Sequence, residues 1–401
     1  VTRLIYIANM RLPTEKAHAV QIMQNCEAFA QAGADVTLWA ARRFNPSAPL
    51  RQIEDVWAHY GVARVFGIQR LFCIDLMPLT WDQVNALSKL IFALQVLSFT
   101  LAALISAVFT PAEIYYTRDL PVALALSLVK PRRAIAYEPH RLWKSTWGKR
   151  LQALAVKRAG AVIPVTAPLA DALITLGADP ARVLVAHDGI RAERFAHVPD
   201  QITARQAVGW PEDAFIVGYM GQLQTMGMDK GVGSLVSALS TLPDVSIGLV
   251  GGPDDMAAQL REHWLANGQT DAAFLYAGQV SPDRIPTYLS AFDLCVMPLP
   301  YTEHYAFYAS PLKLFEYMAS GRAIIATDLP GWADVVQHEM NAYLIAPSDV
   351  PALQAAIVRL KDDPALRERL ALAAKERVFA EYTWAARAQR ILNHIQQGQA
   401  Q

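Results

Sequence analysis

Short runs rich in β-branched and aliphatic residues alternate with helical stretches along nearly the whole chain, and they do so in two successive series. In the first, the runs at 4–8, 35–40, 113–117, 134–137, 161–165 and 183–186 are mostly apolar on both faces, as strands covered by helices on two sides are. A helix over about 14–32, stopped by Gly33, joins the first two runs and gives a βαβ opening. The second series has runs at 215–220, 245–250, 274–277, 294–298, 323–327 and 342–345, with helices expected from near Gly231, Asp254 and Asp283, after Ser310, and twice between Val350 and Ala380. Each series reads as an open, doubly wound parallel sheet. With 401 residues the chain exceeds one ordinary core. The expected fold is α/β: two Rossmann-like domains, over 1–195 and 208–380, facing a central cleft. The stretch 188–214, richer in charge, Pro and Gly, marks the boundary. Trp384, Ala388, Ile391 and Ile395 line one face of a last helix over 381–401, which follows the completed second sheet and is expected to dock elsewhere.

Composition removes several function classes. Lys+Arg and Asp+Glu are both 36, so no basic field gathers a nucleic-acid backbone and no nucleic-acid partner is expected. The three cysteines, Cys26, Cys73 and Cys295, have neither metal-ligand spacing nor a disulfide pattern, which favours a reducing, cytoplasmic setting. The opening run reads as a first strand and not as an export leader. No Ser/His/Asp elbow, Walker-type lysine loop, HExxH or CxxC is present, so hydrolase, ATPase and zinc readings lack support.

Leu87 to Phe109 is long and apolar enough to approach a membrane span, interrupted by Lys89, Gln95 and small hydroxyl residues. Strand-like runs on both sides of it belong to one sheet, which argues against a span. The expectation is a buried helix, with peripheral contact at the inner face of a membrane as the alternative.

The segment Ser310-Pro311-Leu312-Lys313-Leu314-Phe315-Glu316 combines an N-cap residue with a proline suited to the first helical position. The free N–H groups that follow, at Leu312, Lys313 and Leu314, can hold a phosphate, and Glu316, one turn in, can accept from a pair of ribose hydroxyls. An ordinary amphipathic helix explains the same residues. Gly221 closes the first strand of this half, and Lys230, before Gly231, supplies a point charge at the same predicted sheet edge. In the first half, His140 follows a strand and Arg118 ends another, while Arg11 and Lys16 sit on the first strand-to-helix loop. Each of these four is as readily structural as ligand-binding.

Taken together, the Gly221…Lys230-Gly231 turn, the Ser310–Gly321 helix with the strand Ala323-Ile324-Ile325-Ala326-Thr327-Asp328 behind it, and Asp188-Gly189-Ile190-Arg191-Ala192-Glu193-Arg194-Phe195 resemble the GT-B glycosyltransferases, most of all their large retaining family four. The opening Arg11-Leu12-Pro13-Thr14-Glu15-Lys16-Ala17-His18 resembles members that assemble surface polysaccharides. The resemblance implies that Glu316 binds the donor ribose, and that Lys230 with the helix-start segment Ser310-Pro311-Leu312-Lys313 forms the diphosphate site beside Gly221. It implies that His140 meets the donor sugar or its phosphate, that the last helix crosses back to the first domain, and that no metal or other cofactor is needed. In the family's paired-glutamate motif the first position is Tyr308 here, leaving Glu303 or His304 as candidates for the sugar contact, and Gln222 stands where many members carry arginine.

The expected activity is transfer of a sugar from a nucleoside-diphosphate sugar to a hydroxyl acceptor, saccharide or lipid-linked, with retention and with His140 and Lys230 in catalytic roles. It would belong to polysaccharide or glycolipid assembly. The competing readings are a non-catalytic nucleotide-sugar-binding scaffold and a GT-B isomerase.

Overall fold

The computed structural model describes residues 1–14, 16–76, 85–225 and 227–400. The chain forms two units, Val1–His187 with Trp384–Gln401, and Asp188–Thr383.

In the first unit, β1 (Arg3–Ala8), β2 (Asp35–Ala41), β3 (Gly67–Leu71), β4 (Ile114–Thr117), β5 (Ile135–Tyr137) and β6 (Ala161–Val162) make one sheet in the order β3-β2-β1-β4-β5-β6. Every pairing in it is parallel. Its helices are α1 (Ala17–Gln31), the short α2 (Ala48–Arg51) and α3 (Val56–His59), α4 (Ala86–Phe109), α5 (Leu120–Val129), α6 (Thr146–Arg158) and α7 (Ala167–Thr175). Strand β6 is shorter than its apolar run because Pro164 has no N–H to continue the ladder. The run at 183–186 is accordingly reduced to a bridge between Val183 and Val162.

In the second unit the order is β11-β10-β7-β12-β13-β14. These strands are β7 (Phe215–Met220), β10 (Val245–Val250), β11 (Phe274–Tyr276), β12 (Leu294–Met297), β13 (Ala323–Thr327) and β14 (Tyr343–Ile345), with a small hairpin of β8 (Gln224–Thr225) and β9 (Met228–Asp229) after β7. Around them lie α8 (Gln201–Val208), α9 (Val232–Leu239), α10 (Asp254–Ala266), α11 (Ile285–Ala291), α12 (Leu312–Ser320), α13 (Val350–Asp362) and α14 (Pro364–Glu381). The final helix, α15 (Trp384–Ala400), packs on α1 of the first unit. On one face of the second sheet the Phe292 ring fills the space over Gly218, where a Cβ would come within 2.2 Å of it. A glycine in a central strand here marks close packing.

Two sequence expectations change. Helix α12 begins one residue later than its Ser-Pro start suggests: Pro311, in an extended conformation, holds the N-cap position. The Ser310 hydroxyl caps nothing on α12 and accepts instead from the Asp188 N–H at 2.9 Å. Helix α4 is not a buried core helix. Ser88, Ile91, Gln95, Phe99, Ala103 and Ala107 form a narrow buried seam, and most of the remaining apolar residues face outward.

Candidate functional site

In the second unit β7 lies between β10 and β12, so the chain leaves β7 toward one side of the sheet and returns on the other. That switch point, at the carboxyl ends of the strands, is where open α/β sheets form ligand crevices. Helix α12 follows β12, and the Tyr317 hydroxyl fastens it to the end of β7, accepting from the Met220 N–H at 2.8 Å and donating to the Met220 carbonyl at 3.1 Å.

Two lysines converge on this crevice. Lys313, in the first turn of α12, donates from Nζ to the Tyr219 hydroxyl at 2.5 Å, and that hydroxyl donates in turn to the Gln222 carbonyl at 2.7 Å. Gly221, with φ +134°, leaves the room this needs: a Cβ there would stand 2.6 Å from Lys313 Nζ. Lys230 leaves the β8–β9 hairpin with its ammonium 4.7 Å from the Tyr305 ring centre. The turn that presents it is held by Asp229, whose carboxylate accepts from the Gly231 N–H at 2.7 Å. Burial lowers the Lys230 pKa to about 8, although Asp229 opposes the shift. Burial, with the charge of Lys230 beside it, pushes Lys313 well below the ordinary lysine value. Among the described residues neither ammonium has a carboxylate within ion-pair distance. An anion held here would relieve both the desolvation and the mutual repulsion.

Glu316 lies one turn along α12, and its carboxylate makes no hydrogen bond among the described residues. Burial raises its carboxyl to about 7, with Arg194 and Lys313 pulling the other way. Arg194 is itself lowered by burial, against the field of Glu316. The crevice thus has a cationic end at Lys230, Lys313 and the amides of Leu312 and Lys313, the expected Leu314 N–H being taken by the Pro311 carbonyl at 2.9 Å, and a carboxylate with unused acceptor capacity further in. Ahead of it, His304–Tyr308 forms one π-helical turn, in which the Tyr308 hydroxyl donates to Glu303 at 3.2 Å. The carboxylate beside Tyr308 is thus that of the exposed Glu303, from the preceding loop.

In the first unit Glu138, at the end of β5, is almost fully buried and gathers four partners. The Tyr116 hydroxyl donates to it in a short hydrogen bond. His140 Nε2 lies 2.7 Å away, Arg387 of α15 forms an ion pair at 3.0 Å, and Arg118 Nε stands at 3.8 Å. Burial alone would raise this carboxyl, but Arg387, the His140 bond and Arg118 together hold it below the ordinary carboxylate range. His140 is lowered to about 4 by burial and by Arg118, Glu138 opposing. A neutral ring with Nε2–H donating to Glu138 leaves Nδ1 to accept from Arg118 at 2.8 Å. Both ring nitrogens of His140 are therefore committed inside the protein. Its ring borders a cavity of about 330 Å³, which Arg118, Asp119, Tyr137 and Trp143 also line together with Phe92, Val96 and Thr100 of α4. Asn9, at the end of β1, shares this cavity and pairs its amide with that of Gln95, which accounts for a glutamine on the buried seam of α4. Arg11 is buried and Lys16 exposed at the start of α1, and Glu15 between them lies outside the described residues.

Residues 214–363, from just before β7 to just past α13, match the family model described as glycosyl transferases group 1. The second unit belongs to that family. This group 1 domain contains Gly221, Lys230, Lys313 and Glu316, whereas His140 lies outside it. Among curated proteins, a D-inositol 3-phosphate glycosyltransferase of Nocardioides sp. is 26% identical over 238 residues, 56% of this chain and 50% of that protein. The match spans about half the length of such curated relatives. Among solved structures, a sucrose-phosphate synthase from Thermosynechococcus elongatus aligns over 100% of both chains with a TM-score of 0.75 at 21% identity. The Anabaena protein HepE, in complex with UDP and glucose, aligns over 99% of this chain and 100% of its own, with a TM-score of 0.67 at 17% identity. The fold is that of the GT-B glycosyltransferases, two Rossmann-like α/β domains.

Sequence reasoning used only the backbone amide of Lys313 and did not single out Tyr219, Arg194, Glu138 or Arg387. One signal was present: a lysine in the first turn of a helix opposes the helix dipole, so its position calls for a compensating anion.

Proposed function

We propose that the chain transfers a sugar from a nucleoside-diphosphate sugar to a hydroxyl acceptor, with retention at the anomeric carbon. The observation that carries this reading is the pair Lys230 and Lys313, two desolvated ammonium groups at the sheet's switch point with no carboxylate at ion-pair distance among the described residues. A diphosphate bridging them and the first amides of α12 brings its nucleoside toward Glu316, whose oxygens accept the ribose hydroxyls. The complex of HepE with UDP and glucose supports the class of donor.

The chemistry rests on the leaving diphosphate. As the anomeric bond breaks, negative charge grows on the β-phosphate oxygen, where the preoriented ammonium groups and helix amides stabilise it most. That oxygen then takes the proton of the attacking acceptor hydroxyl on the same face of the sugar. In this reading the two lysines neutralise the diphosphate and no metal or other cofactor is called on. His140, neutral and braced by Glu138 and Arg118, borders the first-unit cavity, which in this reading takes the acceptor. The Glu303–Tyr308 pair takes the place of the family's first glutamate in holding the donor sugar. The acceptor is a saccharide or lipid-linked saccharide of polysaccharide or glycolipid assembly, met in the cytoplasm at the inner face of a membrane that α4 touches.

A thermal-shift series with UDP, GDP, ADP, CMP, dTDP and their common sugars tests the donor site. A ligand at about a hundred times its dissociation constant stabilises by roughly 2.7 kcal/mol. One responding base is expected, with the response weakened by Glu316→Ala and by Lys230→Ala. Silence across a folded sample, or full turnover in Lys230→Ala, overturns the reading.

A further inference from the structure

Helix α4 carries far more apolar surface than its packing uses. Leu90, Leu97, Leu101, Ile105 and Phe109 are between 51% and 80% exposed, while only the narrow seam described above is covered. A helix apolar all round is ordinarily enclosed by protein or by lipid. It is also the described helix long and apolar enough to cross a membrane. It does not cross one here, because β3 and β4, which it joins, belong to the same sheet.

The exposed apolar surface continues beyond α4. Helix α5 packs between α4 and α6, and its last turn shows Leu128, 71% exposed. Helix α6 shows Trp147, Leu151 and Leu154 on one side, with Trp147 72% exposed. Cations accompany these apolar groups. Arg150 lies 5.8 Å from the Trp147 ring and Arg141 lies 5.5 Å from the Trp143 ring. Residues 86–158 hold 11 Lys and Arg and 3 Asp and Glu, in a chain with 36 of each. Of those three acidic residues only Glu113 is exposed.

We infer that the outer surface of α4, α5 and α6 is a docking site for an anionic lipid bilayer. Leucine and phenylalanine enter the acyl boundary, tryptophans sit at headgroup level beside arginine, and the excess of lysine and arginine meets the lipid phosphates. A second copy of the chain is the poorer occupant, because a two-fold interface would set this cationic surface against itself. The inference extends the membrane contact proposed above from one helix to three and commits it to an anionic leaflet. It rests on that contact and is independent of sugar transfer.

Co-sedimentation of the full chain with vesicles tests it, using phosphatidylcholine alone against phosphatidylcholine with phosphatidylglycerol. Binding is expected on the anionic vesicles, falling with added salt, and little is expected on the neutral ones. Leu97→Gln/Leu101→Gln/Ile105→Gln should abolish binding. Lys149→Gln/Arg150→Gln should weaken it roughly thirtyfold, at about a fivefold loss per cation. Both variants alter exposed positions and should keep the wild-type nucleotide response, which separates this test from that of the donor site. Three results overturn the inference: no binding to either vesicle, equal binding to both, or a concentration-dependent dimer that the triple substitution dissolves.

Discussion

Lys313 donates to the hydroxyl of Tyr219 at 2.5 Å and also stands over the same ring, 4.1 Å from its centre. The ammonium is thus held by an aromatic ring and a neutral oxygen, neither of which compensates its charge as a carboxylate would. With Lys230 nearby, two ammonium groups share this end of the crevice, and among the described residues no carboxylate comes within ion-pair distance of either.

That absence makes nucleotide binding proton-linked. Lys230 has a pKa of about 8 in the free protein and Lys313 is pushed lower than an ordinary lysine, so a bound diphosphate raises both. Binding therefore takes up protons, and affinity declines as pH rises through about 8, approaching tenfold per unit for each proton coupled. Titration calorimetry in buffers of different ionisation enthalpy should show net proton uptake at pH 7.5, reduced in Lys313→Met.

His140 makes the first unit sensitive to acid. Its folded pKa of about 4 lies below the ordinary 6.5, so the unfolded chain binds the extra proton first. The stability present above pH 6.5 is lost as pH falls toward 4, by about 3 kcal/mol for this group. The pH dependence of unfolding in His140→Gln should lack this loss, while retaining the loss at lower pH that the depressed Glu138 carboxyl imposes.

Arg387→Met should expose the cost of the Glu138 charge. Removing one partner of a buried ion pair typically costs about 3–5 kcal/mol. Urea unfolding should show a loss of that order in the first unit, and hydrogen exchange should show α15 opening. A second substitution, Glu138→Gln, should recover part of the loss, since the uncompensated charge is then gone.

Gly231 precedes α9 with φ +75°, and a Cβ there would fall 1.8 Å from the Pro298 carbonyl oxygen. Gly231→Ala should therefore destabilise by more than the about 1 kcal/mol of a left-handed alanine, and should displace Lys230. Nucleotide affinity is expected to fall along with melting temperature, whereas an exposed control such as Gly268→Ala should change only stability.

The second sheet was legible to within a residue or so, because its four central strands are buried on both faces and read as apolar runs. Strand β3 was missed because it is an edge strand whose sequence, Gly67-Ile68-Gln69-Arg70-Leu71, mixes both kinds of residue. The crevice at the start of α12 was legible in outline, since Ser310 to Glu316 is contiguous and carries helix-start residues, although the helix begins one residue later. The side-chain role of Lys313 was not, because it depends on Tyr219 from another strand. The Glu138 cluster was hidden more deeply: Tyr116, His140 and Arg387 come from a strand, a loop and the last helix. The outward face of α4 was misjudged because composition shows how apolar a helix is and not what covers it.

Arg387 is also late in the order of synthesis. A nascent chain halted at Thr383 would already contain every residue of the second unit, while Glu138 would still lack its closest guanidinium. The half of the protein made first is thus the half completed last, and the partner that most favours the ionised form of Glu138 is the last to arrive.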